Sequence, residues 1–214
     1  MSELKKAEAV GATPKDVLAE IARKDEFLQQ LQDFLTAHKD EKWCVAAVDI
    51  EHFKLYNELY GSEQGNALLQ RLAQNLLDYT SAAGVPLGYW GNDDFVTCLP
   101  DDKEHQLSVI SKLQTRMNTT RHEVSLFLSL GLCPISDQTE VDAQTLCNYA
   151  QIAAMDPTPA MGGVHRFAPA MLSRMKEQQQ LLTDLERALK NHEFCFFLQP
   201  KCNSMTRAIV GMEA

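Results

Sequence analysis

The chain has 214 residues, 45% of them hydrophobic and 23% charged, and carries a net charge of −9. That mixture suits a globular domain with a sizeable core plus an additional piece, and it argues against a disordered chain. The acidic balance argues against a broad basic surface for nucleic acid or for an anionic membrane, and no apolar run reaches the roughly 20 residues that a spanning helix needs.

Residues 1–12 are polar and small. "TPKD" then has the form of a helix start, with Thr13 as cap, Pro14 at the first helical position and Asp16 near the positive end of the helix dipole. Val17, Leu18, Ile21, Phe27, Leu28, Leu31, Phe34 and Leu35 follow at helical spacing, which predicts one long amphipathic helix over 13–38. Such a helix either packs on its own domain or serves as a coiled-coil connector. "KWCVAAVDI" (42–50) predicts a buried strand ending in an acid, and residues 63–84 predict a strong helix terminated by Gly84. "VPLGYW" and "DFVTCLP" flank a turn and predict a hairpin. Residues 103–118 and 141–155 have helical patterns, 124–135 a strand pattern, and "GGVHRF" (162–167) that of a short last strand. The order β-α-β-β-α-β is that of an α+β, ferredoxin-like fold: an antiparallel central sheet with helices on one face, and connecting helices at both ends. A further helix begins at Pro169, and two strand-like runs, "FCFFLQP" and "RAIVGMEA", close the chain.

Six cysteines, at 44, 98, 133, 147, 195 and 202, show no zinc-ligand spacing, and most lie in apolar runs. They suit reduced thiols packed as small hydrophobes in a cytoplasmic protein.

The chemistry concentrates in two places. Asp49 ends the first predicted strand, and the turn after it holds Glu51, His52, Phe53 and Lys54, with Asn57 one helical turn later. The hairpin turn is Gly91-Asn92-Asp93-Asp94-Phe95. In a split β-α-β-β fold the first strand lies beside the hairpin, so Asp49 can approach Asp93 and Asp94. Carboxylates converging at strand ends suit a hard divalent cation such as Mg²⁺ or Mn²⁺. Backbone N–H groups near a helix start, with Lys54, can receive triphosphate oxygens, and metal plus triphosphate is the apparatus of phosphoryl or nucleotidyl transfer. Taken singly, an acid after a strand is usually a cap, and a Gly-Asn-Asp run is usually just a turn.

The combined pattern, "DIEHFKLYNELYGSEQGN" followed by "GNDDF", resembles the GGDEF family of diguanylate cyclase domains, which join two GTP molecules into cyclic di-GMP on a nucleotidyl-cyclase palm. The resemblance covers roughly residues 41–168, after a tail and connector helix over 1–40. Over 193–214, after a linker helix at 169–192, "FFLQPKCNSMTRAIVGMEA" is similar to the start of an EAL domain, the cyclic di-GMP phosphodiesterase that often follows GGDEF. The expectation is a piece of a GGDEF–EAL polypeptide in which Glu213 is the first ligand of an incomplete EAL metal site, so that this piece lacks phosphodiesterase activity.

Carried over by position, the resemblance implies that Asp49, Asp93 and the Ile50 carbonyl hold the metal. His52, Phe53 and Lys54 meet phosphates, and Asn57 and Asn66 face guanine. Asp94 takes the place of the signature glutamate and is the candidate catalytic group if the domain is active. Several positions depart from the family pattern. Asp94 is one methylene short, Asn92 replaces the second glycine, and Asn66 stands where an aspartate reads guanine. Tyr89 replaces an arginine, no cation occurs in "DPTPAMGG" (156–163), and Ala82 and Val85 occupy the inhibitory R-x-x-D positions. An amide presents a donor where a carboxylate would accept, which costs roughly 1–3 kcal/mol in a dry site. The resemblance therefore implies a degenerate GGDEF domain that senses GTP and regulates an attached EAL phosphodiesterase. The alternatives are a weak Mg-dependent cyclase acting as a homodimer, or a purely structural dimerisation domain.

Overall fold

A computed structural model describes residues 16–118, 125–135, 141–156 and 162–213; the cap positions Thr13 and Pro14 lie outside them. The chain divides into two compact units at Ala168/Pro169.

In the first unit, a five-stranded sheet has the order β2-β3-β1-β4-β5. Its strands are β1 (Trp43–Ile50), β2 (Leu87–Tyr89), β3 (Phe95–Pro100), β4 (Leu128–Pro134) and β5 (Gly163–Arg166). β1 is central and antiparallel to both β3 and β4, and β2 is antiparallel to β3. β5, however, runs parallel to β4, so the expected antiparallel sheet is a mixed one. The helix between them, α5 (Ala143–Ala154), is the crossover that a parallel pair requires.

Helices also cover both faces rather than one. "WCVAAV" is apolar without alternation, and a strand buried on both sides must be covered on both. On one face, Cys44, Ala46, Val48 and Ile50 join the core with α3 (Ser62–Ala83) and α4 (Lys103–Met117). On the other, α5 packs on β1 and β4 and meets α1 (Lys24–Ala37). α5 approaches so closely that a Cβ at Gly131 of β4 would run into the Ala150 carbonyl and the Ala154 amide.

The long first helix is broken. A 3-10 turn spans Val17–Glu20 and α1 starts at Lys24. Between them the chain extends, and Ala22 forms a parallel bridge with Gly88 at the sheet edge. A short helix, α2 (Phe53–Tyr60), lies between β1 and α3; it takes in Phe53 and Lys54, which the sequence placed in the turn, and Asn57 one helical turn on.

In the second unit, α6 (Pro169–Lys190) precedes a two-stranded antiparallel hairpin of β6 (Gln199–Cys202) and β7 (Ile209–Glu213). Phe194, Phe196 and Phe197, expected in a strand, precede β6 and are exposed.

Candidate functional site: an acidic cleft at the hairpin turn

Two elements position the acids. β1 is fully paired, so its last residues are fixed in register, with Asp49 opposite Ser129 and Ile50 opposite Leu128. β3 pairs with β1 through Val48↔Phe95, which sets the preceding turn beside the end of β1. Phe95 is fully buried and anchors the turn.

The turn itself is closed by two backbone bonds: Asp94 N–H donates to Gly91 C=O (3.0 Å) and Trp90 N–H to Asp94 C=O (3.1 Å). Its φ angles are +104° at Gly91 and +49° at Asn92. Asn is among the few side chains that adopt the left-handed region readily, which is why the turn forms without a second glycine. The Tyr89 hydroxyl donates to Asn92 C=O at 3.0 Å and braces it.

This geometry brings Asp49 and Asp93 together. Burial and the carboxylates of Asp93, Asp94 and Glu51 push the Asp49 carboxyl up to about 7. Burial likewise raises Asp93 and Asp94. Asp93 Oδ2 accepts from the Ile50 amide at 3.3 Å. Asp94 accepts from Gln151 Nε2 of α5 at 3.4 Å, which draws the shortened acid toward the helix. Among the described residues, the largest influences on Asp49 are burial and the three neighbouring carboxylates, and all of them raise it. Crowded carboxylates that raise one another are a donor set that fits a divalent cation. Among the described residues no three His, Cys, Asp or Glu side chains form a metal-binding group. A cation here would therefore rest on Asp49 and Asp93, with remaining oxygens from backbone, water or ligand. It would supply charge neutralisation for phosphate oxygens.

Of the residues expected at phosphates and base, His52, Phe53, Lys54 and Asn57 lie at the start of α2 and along it, and Asn66 in the first turns of α3. His52 is the left-handed residue capping α2 (φ +58°). His52, Lys54 and Asn66 are exposed, and Phe53 and Asn57 half-buried. Asn57 Oδ1 is buried without a hydrogen-bond partner, and it occupies the space that a Cβ at Gly65 would need. Glu51, given no role from sequence, accepts from Ser129 Oγ (2.7 Å) and Gly162 N–H (2.6 Å), tying β1 to β4 and to the approach of β5. Sequence reasoning also missed Gln151 and the Ile50 amide. Gln151 sits 57 positions from Asp94, and no local pattern announces so distant a pairing. In the second unit, Glu213 is exposed and paired with Lys201 at 3.0 Å. Of "DPTPAMGG", residues 157–161 lie outside the described residues.

A family model described as "Diguanylate cyclase, GGDEF domain" matches residues 13–159. The chain belongs to the GGDEF family and is a domain of the cyclic di-GMP signalling class. Among curated relatives, the bifunctional diguanylate cyclase/cyclic di-GMP phosphodiesterase MucR of Pseudomonas aeruginosa is 28% identical over 182 residues, covering 82% of this chain and 26% of that protein. The cyclic di-GMP phosphodiesterase PdeR of Escherichia coli is 28% identical over 183 residues, covering 81% and 27%. The chain thus spans about a quarter of the length of either relative. The GGDEF domain of TpbB (YfiN) from Pseudomonas aeruginosa superposes with a TM-score of 0.62 at 19% identity, covering 74% of this chain and 97% of that one, a likeness of fold. No helix among the described residues is long and apolar enough to cross a membrane.

Proposed function

We propose that this is a degenerate GGDEF domain that binds GTP with Mg²⁺ or Mn²⁺ and regulates an attached EAL phosphodiesterase, without efficient cyclase turnover. The observation that carries the reading is the split fate of the acids. Asp49 and Asp93 stand together, each pushed up by burial and by neighbouring carboxylates, whereas Asp94, one methylene short of glutamate, hydrogen-bonds Gln151. Metal-assisted attack of a ribose hydroxyl needs reacting groups held within a fraction of an ångström, and an acid held by a helix amide is poorly placed to activate that hydroxyl. Asn66 offers an amide where a carboxylate would take both guanine donors, which weakens base selection. The similarity of "FFLQPKCNSMTRAIVGMEA" to an EAL start, and the phosphodiesterase relatives, support the regulatory partner. Glu213 is the candidate EAL metal ligand within residues 193–214.

The test is calorimetric titration with a non-hydrolysable GTP analogue and Mg²⁺, repeated on Asp93→Ala, with a product assay for cyclic di-GMP. Binding that Asp93→Ala abolishes, without product, is the expected result. Steady formation of cyclic di-GMP would replace the sensor with a weak cyclase. No binding at millimolar nucleotide would leave a structural role.

A further inference from the structure

The segment before the sheet touches three consecutive residues of the hairpin, each through a different contact. Gly88 leaves a gap that the Phe27 ring fills: a Cβ there would lie 2.6 Å from Phe27 Cγ and 2.8 Å from Cδ2. Tyr89 donates its N–H to Ala22 C=O at 3.0 Å, and the Arg23 guanidinium lies 5.6 Å from the Tyr89 ring centroid. Trp90 meets the Phe27 ring edge-on at 6.2 Å and carries the Lys24 ammonium 4.9 Å from its ring centroid. Trp90 is the residue before Gly91, and the Tyr89 hydroxyl holds the Asn92 carbonyl. One side chain thus separates α1 from the turn that carries Asp93.

We infer that Phe27 and Lys24 of α1 are positioning residues for the signature turn, so that the seating of the connector helix sets where Asp93 stands relative to Asp49. Phe27 is fully buried, and core packing explains that much. Packing alone does not require the same ring to occupy the missing Cβ of Gly88 and to edge Trp90. Rigid, close-packed contacts transmit displacement because they have few alternative arrangements. A shift of α1 moves Phe27, the ring moves Trp90, and the turn follows.

The test compares amide spectra of the full chain for the parent, Lys24→Ala, Gly88→Ala and the double variant Gly88→Ala/Phe27→Leu. Lys24 is exposed, so its removal leaves the core intact. The expected result is movement of the Asn92, Asp93 and Asp94 amides in Lys24→Ala and Gly88→Ala, with β5 amides unmoved. In the double variant, where the smaller side chain admits the added methyl but the ring that meets Trp90 is lost, the turn amides stay displaced from parent positions; their full return to parent positions would mean that the ring does not position the turn. Turn amides that stay in place in Lys24→Ala, or in a folded Gly88→Ala, overturn the inference. A second readout is Mn²⁺ affinity, expected to fall about threefold or more in Lys24→Ala at unchanged melting temperature. That readout rests on the proposed metal site. A parent that binds no Mn²⁺ refutes the site, and the amide shifts then decide the inference on their own.

Discussion

Asp93→Asn should make this protein more stable while removing its capacity for metal. The substitution keeps an oxygen for the Ile50 amide and deletes one charge from the cleft. Raising the Asp49 carboxyl from 3.8 to about 7 corresponds to ~4 kcal/mol between its two protonation states. Burial is the larger cause and Asp93 the second, and solvent at the cleft screens part of both. Removing Asp93's charge should therefore recover about 1–2 kcal/mol at pH 8, or a rise of roughly 2–8 °C in melting temperature for a domain of this size. The sign follows from linkage: a carboxyl raised in the folded state contributes stability below about pH 4 and loses it as pH rises through about 7. The gain in Asp93→Asn should accordingly be small at pH 5 and grow toward pH 8. In the parent, Mn²⁺ should restore stability at pH 8, and in the variant it should not. Thermal denaturation at three pH values, with and without Mn²⁺, measures all of this. Equal destabilisation of Asp93→Asn at every pH would refute the reasoning, because it would mean that the acid is retained for its hydrogen bond rather than endured for its charge.

Gly131→Ala should cost about 1–3 kcal/mol or more, since the new methyl meets the backbone of α5 at Ala150 and Ala154; chemical denaturation with an unchanged m-value would measure it. Arg166 holds Asp101 in a bidentate pair at 2.6 and 2.8 Å and lowers its carboxyl. A lowered carboxyl stabilises above its unfolded value and loses that contribution as pH falls. Arg166→Ala should therefore cost about 1 kcal/mol at pH 7 and progressively less below pH 4, as read from denaturant midpoints. Burial pushes the Cys44 and Cys147 thiols up to about 12 and leaves Cys98 and Cys133 without access to solvent. A thiol reagent at pH 8 should modify Cys195 and Cys202, both exposed, and modify the other four only at the rate of unfolding.

How much of this was legible in the sequence depends on the range of the interaction. β1 and the β2–β3 hairpin follow from local runs, and α4 and α5 carry periodicity with caps at Asp102 and Asp142 that accept from His105 and Thr145. The approach of Asp49 to Asp93 followed from topology, because the split order puts β1 beside β3. The break at Ile21–Arg23 did not show, because Val17, Leu18, Ile21 and Phe27 face the core on either side of it and the apolar spacing runs across the interruption. The partners of Ile50, Gln151 and Glu51 are set by tertiary placement, which no spacing encodes. The direction of β5 was hidden in a run of four residues, too short for its pattern to tell parallel from antiparallel.

Asn92 gives the turn one more property. Its backbone already has the left-handed shape that glycine adopts without cost, so a glycine here would leave the path of the chain unchanged. Asn92→Gly would remove a carboxamide while keeping the backbone carbonyl that accepts from the Tyr89 hydroxyl, without asking the loop to refold. A glycine at this position is thus reachable by a single substitution, with no reshaping of the sheet that bears the turn.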